Sequence, residues 1–487
     1  MLTCLSMLCL INECMFVYIC MTLPPSSLHV SIYLFQSLGN HEFDNGVAGL
    51  IPFIQNVTCP VLASNLILTK EPKLQAEPNL MNSVVIDING TKIGIIGYLT
   101  PDTKFIATKN EVEYINEVVA VGKEATMLKN NGVNILIALG HSGFLMDLEI
   151  AKRVEDIDLV IGGHTNTFLY SGKAPDMEVA EGMYPTLVVQ DSGRLVPVVQ
   201  AYAYTKYLGH LYLNFDKNGE MINYEGSPLL LNDSVPHDPA VLKIVNQYRE
   251  DIQKLTEKVI GITSVIVDGE SCRSKECSMG NVITDAMIHR YASEYSGVGW
   301  TDAPVAIVHG GGIRSSFHYL KLPSNITRGD VLRVMPFDGT VMKVELAGID
   351  IRKVLEHSVH RYNALFPTGE FLQMSGMKVV YDLKKPPHQR VKSVHVRCGE
   401  CTRPIYEVLN KTKEYKILMP AFLASGGDGY DMFTELPQVS LHLSEIECTE
   451  TYITSHSPLY PAIEGRIIIK HQDQNNDTTI LRGKMLS

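Results

Sequence analysis

At about 150 residues per domain, a chain of 487 residues has room for two or three domains, and a hydrophobic content of 45% is enough to fill their cores. That composition excludes a disordered or collagen-like chain. Lys and Arg total 42 against 53 Asp and Glu, a formal charge of −11, which excludes a broad electrostatic grip on a nucleic-acid polymer or an anionic membrane surface.

The first basic residue is Lys70, so the opening stretch has no Lys or Arg. Residues 1–21 are apolar enough for a signal peptide or a membrane span. They lack the positive start of the former, however, and carry Asn12 and Glu13 where the latter would suffer most. Residues 1–21 are therefore expected to stand outside the fold, and 1–38 as a whole reads as an atypical apolar segment in which 31–38 can supply at most one strand. From Val84 onward, short β-branched runs at 92–98, 133–139 and 157–161 lead into loops with Gly or His, and 111–130 and 144–154 read as helices. Strands alternating with helices indicate an α/β sheet buried on both faces, with ligand chemistry at the carboxyl ends of its strands. Those ends carry Gly140-His141 and Gly162-Gly163-His164. The stretch 186–215 alternates around Asp191-Ser192-Gly193 and suggests a second sheet.

Residues 238–259 form a long amphipathic helix without Gly or Pro after Pro239, and the sequence texture changes beyond it, so a domain boundary is placed there. The second half has a helix at 280–291, a strand at 304–308 entering His309-Gly310-Gly311-Gly312, and a helix at 350–360. Strands follow at 372–383 and 390–396, then a glycine-rich loop at 425–430. No Lys-Ser/Thr follows the triple glycine at Walker spacing, which argues against a P-loop. These glycines instead allow backbone to approach a ligand closely.

The ten cysteines are Cys4, Cys9, Cys14 and Cys20, the short-range pairs Cys272/Cys277 and Cys398/Cys401, and the isolated Cys59 and Cys448. The two pairs lie too far apart for a zinc ribbon, and short-loop disulfides in an oxidising compartment fit better. Sequons at Asn56, Asn89, Asn232, Asn325, Asn410 and Asn476 agree with secretion. After Ile469 the chain becomes a polar tail, 471–487, without an apolar run for a lipid-anchor signal.

The most informative segment is Gly39-Asn40-His41-Glu42-Phe43-Asp44. An Asn amide oxygen ligates hard or borderline cations, and the adjacent His can meet a phosphoryl oxygen while a carboxylate such as Asp44 orients it. With His141 and His164 at strand ends, this makes a metal constellation suited to Zn or Mn.

These segments resemble the 5′-nucleotidases among the calcineurin-like metallophosphatases. The first half matches in GNHEFDNG at 39–46, LGHSGF at 139–144, GGHTNTFLY at 162–170 and QDSGR at 190–194. The second half matches in CRSKECSMGN at 272–281, GGGIRS at 310–315, MPFDGT at 335–340, FLQMSG at 371–376, FLASGGDGY at 422–430 and YPAIEGRI at 460–467. The resemblance implies an α/β protein of two domains: a metallophosphatase α/β sandwich at 39–237 and a nucleotide-binding α/β domain at 260–470, joined by the 238–259 helix.

It further implies two divalent metals, zinc first, with manganese or magnesium as alternatives. Asn40, His141 and His164 would bind one, and Asn166 would bind the other weakly. His41, paired with Asp44, would stabilise charge on the phosphoryl group. Arg273 and Arg314 would hold the phosphate, Phe337 and Phe422 would sandwich the base, and Asp428 would accept from the ribose. His309, Gly311, Gly312 and Gly427 would complete the nucleotide site. The implied reaction is hydrolysis of extracellular nucleoside 5′-monophosphates, AMP foremost. An apyrase acting on ATP and ADP and a nucleotide-binding protein without turnover are the rival readings. A homodimer, secreted or at the cell surface, is also implied, with the membrane reached only through a lipid anchor.

Two departures bear on this expectation. The Asp-x-His and Gly-Asp that the family places before the GNHEFD segment have no counterpart upstream of Gly39. The N-terminal domain is thus expected to lack its first strands, and the metal site to be incomplete. His309 stands where the family usually has Asn, and histidine is expected to titrate near neutral pH.

Overall fold

The computed structural model describes residues 3–10, 15–21, 32–88, 90–365 and 367–470. The chain divides into two units, Met1–His237 and Asp238–Ser487. The polar tail, Asn12, Glu13 and the sequons at Asn89 and Asn476 lie outside the described residues.

In the first unit the apolar runs build a six-stranded sheet. Its order is Thr186–Val189, Leu195–Val199, Leu159–Ile161, Ile135–His141, Thr91–Leu99 and Ser83–Ile88. The inner four strands run parallel. Every residue of Ile135–His141 is buried, as a strand covered on both faces requires. Val121, Ala125 and Ile150, from the helices Glu117–Asn130 and Phe144–Arg153, join its core. The first of these helices starts at Glu117, later than the sequence suggests, because Asn116 caps it by accepting from the Val119 N–H. Glu113–Tyr114 is instead a short strand against Leu66–Ile67.

A second sheet runs Met221–Gly226, Tyr207–Phe215, Thr3–Leu10, Met15–Met21, Ile32–Ser37, Val61–Leu62 and Leu80–Met81. This corrects two expectations. The opening residues do not stand outside the fold: Thr3–Leu10 pairs with Tyr207–Phe215 and with Met15–Met21, which in turn pairs with Ile32–Ser37. Met15–Met21 and Ile32–Ser37 are uncharged and rich in aromatic and β-branched residues, which suit a pleated surface. They extend the sheet despite matching no motif. Likewise, only the last part of 186–215 enters the second sheet, since its first two strands complete the first one. Phe35, Leu62, Leu211, Leu213 and Phe215 pack into the same core as Ile95 and Ile137, which makes the two sheets an α/β sandwich.

The second unit opens with the helix Pro239–Thr256, capped by Asp238 and begun by Pro239. Val259 already belongs to a strand, Val259–Thr263. The central sheet runs Leu372–Ser375, Val305–His309, Glu414–Pro420, Thr340–Ala347 and Gln438–Ser444. Val305–His309 and Glu414–Pro420 are parallel, so their carboxyl ends share one edge. Two disulfides, Cys272–Cys277 and Cys398–Cys401, close the expected short loops, while Cys59 and Cys448 are buried free thiols. Among the described residues no helix is long and apolar enough to cross a membrane.

Candidate active site

Three loops of the first unit meet at one atom. Asn40 follows the strand Ile32–Ser37, His141 ends Ile135–His141, and His164 follows Leu159–Ile161. His141 Nε2 and His164 Nδ1 each lie 3.1 Å from Asn40 Oδ1, and the two imidazole centroids are 5.0 Å apart. Asn40 and His141 are buried. Burial, reinforced by His164 and His41 nearby, holds His141 well below the usual imidazole range. It is therefore neutral at physiological pH, the state a metal ligand needs. Its Nδ1 is buried without a hydrogen-bond partner among the described residues. Beside this trio, His41 Nδ1 pairs with Asp44 Oδ2 at 2.9 Å, on the short helical turn His41–Phe43. The turn brings positions three apart onto one side.

One amide oxygen and two imidazoles suit a borderline divalent ion such as Zn or Mn. Among the described residues no carboxylate forms a metal-sized group with them: the one such cluster of His, Cys, Asp and Glu donors is Cys398, Cys401 and Glu407, and its cysteines are bonded to each other. Asn166 is exposed, on the same loop as His164. Both adopt positive φ, 78° for His164 and 55° for Asn166. Non-glycine residues rarely do so outside constrained sites.

In the second unit the nucleotide-binding candidates cluster at the shared edge of the two parallel strands. His309 ends one strand, Phe422 follows the other, and their rings stack at 4.8 Å. His309 Nε2 lies 3.9 Å from the carboxylate of buried Asp428, whose φ is 53°. Glycine is needed around them. A Cβ on Gly312 would come within 2.9 Å of the His309 ring, one on Gly427 within 2.4 Å of Phe422, and one on Gly311 within 3.4 Å of Asp428. A Cβ on Gly310 would meet Cys272 O at 2.6 Å, so the disulfide loop carrying Arg273 sits against this run. Arg314 Nη1 donates to Gly311 O, and its guanidinium lies 5.8 Å from the Phe337 ring centroid. Phe337 itself is partly exposed. The expectation that His309 titrates near neutral is overturned: burial, with Arg273 and Arg314 nearby, pushes it down to about 3.

Residues 259–435 match the family model described as 5′-nucleotidase, C-terminal domain. The 5′-nucleotidase of Mus musculus is 43% identical over 88% of this chain and 75% of its own. The snake venom 5′-nucleotidase of Naja atra is 42% identical over 89% and 82%. This chain belongs to the 5′-nucleotidase family. In structure, the 5′-nucleotidase precursor of Thermus thermophilus superposes with a TM-score of 0.81 at 30% identity, covering 90% of this chain and 84% of that one.

Several residues that hold the candidate groups in place were not singled out from sequence. Gln373 donates to Cys272 O at 2.8 Å and Lys275 O at 2.7 Å and accepts from the Cys277 N–H at 3.0 Å, which steadies the Arg273 loop. His357 Nε2 lies 2.8 Å from Asp428 O. Asp147, Tyr98 and Gln200 underlie the His164 loop. Gln373 falls within the FLQMSG segment, which was a usable signal; for the others, periodicity and motif carry none.

Proposed function

We propose that this chain hydrolyses nucleoside 5′-monophosphates, AMP foremost, to nucleoside and phosphate outside the cell. The convergence of Asn40, His141 and His164 beside the His41–Asp44 pair, in a chain of this family, carries the reading. Asn40, His141 and His164 would hold a divalent ion, zinc by their chemistry, with Asn166 available at the rim. Such an ion, when bound, supplies Lewis acidity and an activated water. His41, oriented by Asp44, faces the transferring phosphoryl group and stabilises its growing negative charge. In the second unit Arg273 and Arg314 take the phosphate, Phe337 and Phe422 take the base and Asp428 accepts from the ribose hydroxyls.

An extracellular location is supported by the two disulfides, by exposed sequons at Asn56, Asn232, Asn325 and Asn410, and by likeness to a venom enzyme. The deciding experiment is phosphate release from AMP, ADP and ATP with added Zn or Mn. Release from AMP alone is expected. Release from ADP or ATP would replace the reading with an apyrase, and saturable AMP binding without release would replace it with a binding protein.

A further inference from the structure

Asp147 is a carboxylate with no exposure, placed on the inner side of the helix Phe144–Arg153 with no cation paired to it among the described residues. Two donors meet it: Tyr98 O–H at 2.7 Å on Oδ1 and Gln200 Nε2 at 2.6 Å on Oδ2. Gln200 also donates to Gly163 O at 3.1 Å and accepts from the Thr167 N–H at 3.1 Å. Its amide therefore clasps the loop on both sides of His164 and Asn166. The carboxylate occupies the space a side chain at position 162 would need, since a Cβ on Gly162 would fall 1.6 Å from Asp147 Oδ2. Thr165 Oγ1 accepts from the Phe144 N–H at 3.1 Å and meets Thr167 Oγ1 at 2.7 Å, which ties the loop to the helix that carries Asp147. The positive φ values of His164 and Asn166 need such restraint from outside the loop.

We propose that Asp147, acting through Gln200, is a positioning residue that holds the 162–167 loop so that His164 reaches Asn40 and His141 and the site binds its divalent ion. This rests on the metal reading above. The Gln200 side of the network is one-way: its amide cannot turn over, because its oxygen is committed to the Thr167 N–H, so it always donates to position 147. The Tyr98 hydroxyl donates in this arrangement and can also accept. An amide at position 147 offers Gln200 either an opposing amino group or an oxygen that accepts less strongly than a carboxylate. A bound ion's affinity depends on such outer partners by about 10- to 100-fold.

The test is the affinity of the purified chain for Mn²⁺ alone, read by electron paramagnetic resonance, with circular dichroism as the folding check. Asp147→Asn and, separately, Gln200→Leu should each weaken binding by about 10- to 100-fold. Thr167 N–H exchange should quicken in both. Combining Asp147→Asn with Gln200→Glu lets the introduced amide donate to the introduced carboxylate while the Thr167 N–H keeps its acceptor, and should recover part of the loss. If Asp147→Asn does not fold, Gln200→Leu decides the matter alone. Unchanged Mn²⁺ affinity in a folded variant would overturn the positioning role and leave the proposed function standing. Absence of Mn²⁺ binding by the parent chain would overturn the metal reading and the role built on it.

Discussion

The imidazole of His309 lies against the ring of Phe422, 4.8 Å between centroids and 29° between planes. The stack is set by strand register: Val305 aligns with Ile417 and Ala306 with Leu418, so the chain ends of both parallel strands arrive together. Gly312 and Gly427 leave space for the two rings. Phe422 also packs against the core of the second unit, so its alanine variant is checked for folding before affinity is read. Phe422→Ala should weaken AMP affinity about tenfold, the equivalent of about 1.4 kcal/mol for a lost aromatic contact. Calorimetry on the metal-loaded chain reads this, and unchanged affinity would show that the base does not use this ring.

Arg314 acts on His309 through charge. Burial does most to push the imidazole down to about 3, with Arg273 and then Arg314 adding to it. Arg314→Ala should move the His309 titration upward in nuclear magnetic resonance spectra. The same variant should weaken phosphate binding by roughly 10- to 100-fold, the range for a hydrogen bond to a charged group. An unmoved titration would separate Arg314 from the site.

His41 and Asp44 make a pair that the metal candidates do not need for their own geometry. His41→Ala should therefore lower kcat for AMP by about 10² to 10⁴, the range for a lost acid–base or charge-stabilising group, with KM changed little. Asp44→Asn should lower it less, because the imidazole remains. Steady-state kinetics separate these outcomes, and a rise in KM with normal kcat would assign His41 to binding.

Glu445 begins the helix Glu445–Ser455, yet it is buried, and burial with Asp338 nearby pushes its carboxyl up from 4.5 to about 8. A raised carboxyl contributes stability that is fully present below its unfolded value of about 4.5 and is lost as pH climbs toward about 8. Thermal unfolding should thus show Glu445→Gln matching the parent near pH 4.5 and exceeding it near pH 8, by on the order of a few kcal/mol. Equal pH dependence in both chains would show that Glu445 ionises freely.

The meeting of three candidates was legible in sequence because they stand where an α/β sheet puts its chemistry. His141 and His164 come at the ends of apolar runs that read as covered strands, and Asn40 heads a compact turn with its own His and carboxylate. The supporting residues were not legible. Asp147 looks like one polar position on an amphipathic helix, and Gln200 like the end of a strand. Nothing local says that their side chains meet 2.6 Å apart beneath a loop. The opening 38 residues misled for a related reason. Without Lys, Arg or motif they carry no signal of partner, whereas Thr3–Leu10, Met15–Met21 and Ile32–Ser37 enter the sheet through backbone pairing with distant segments.

The sequence by itself determined the inventory: which amide, imidazole, guanidinium, aromatic and carboxylate groups are available, on two α/β units, in the order of the 5′-nucleotidase family. Tertiary structure decided which of them meet and in what state. His141 and His164 reach Asn40 across 101 and 124 residues of chain. His309 loses its near-neutral titration through burial beside Arg273 and Arg314. Proximity and desolvation arise only when distant segments pack, and both the metal affinity and the ionisation of a side chain depend on them.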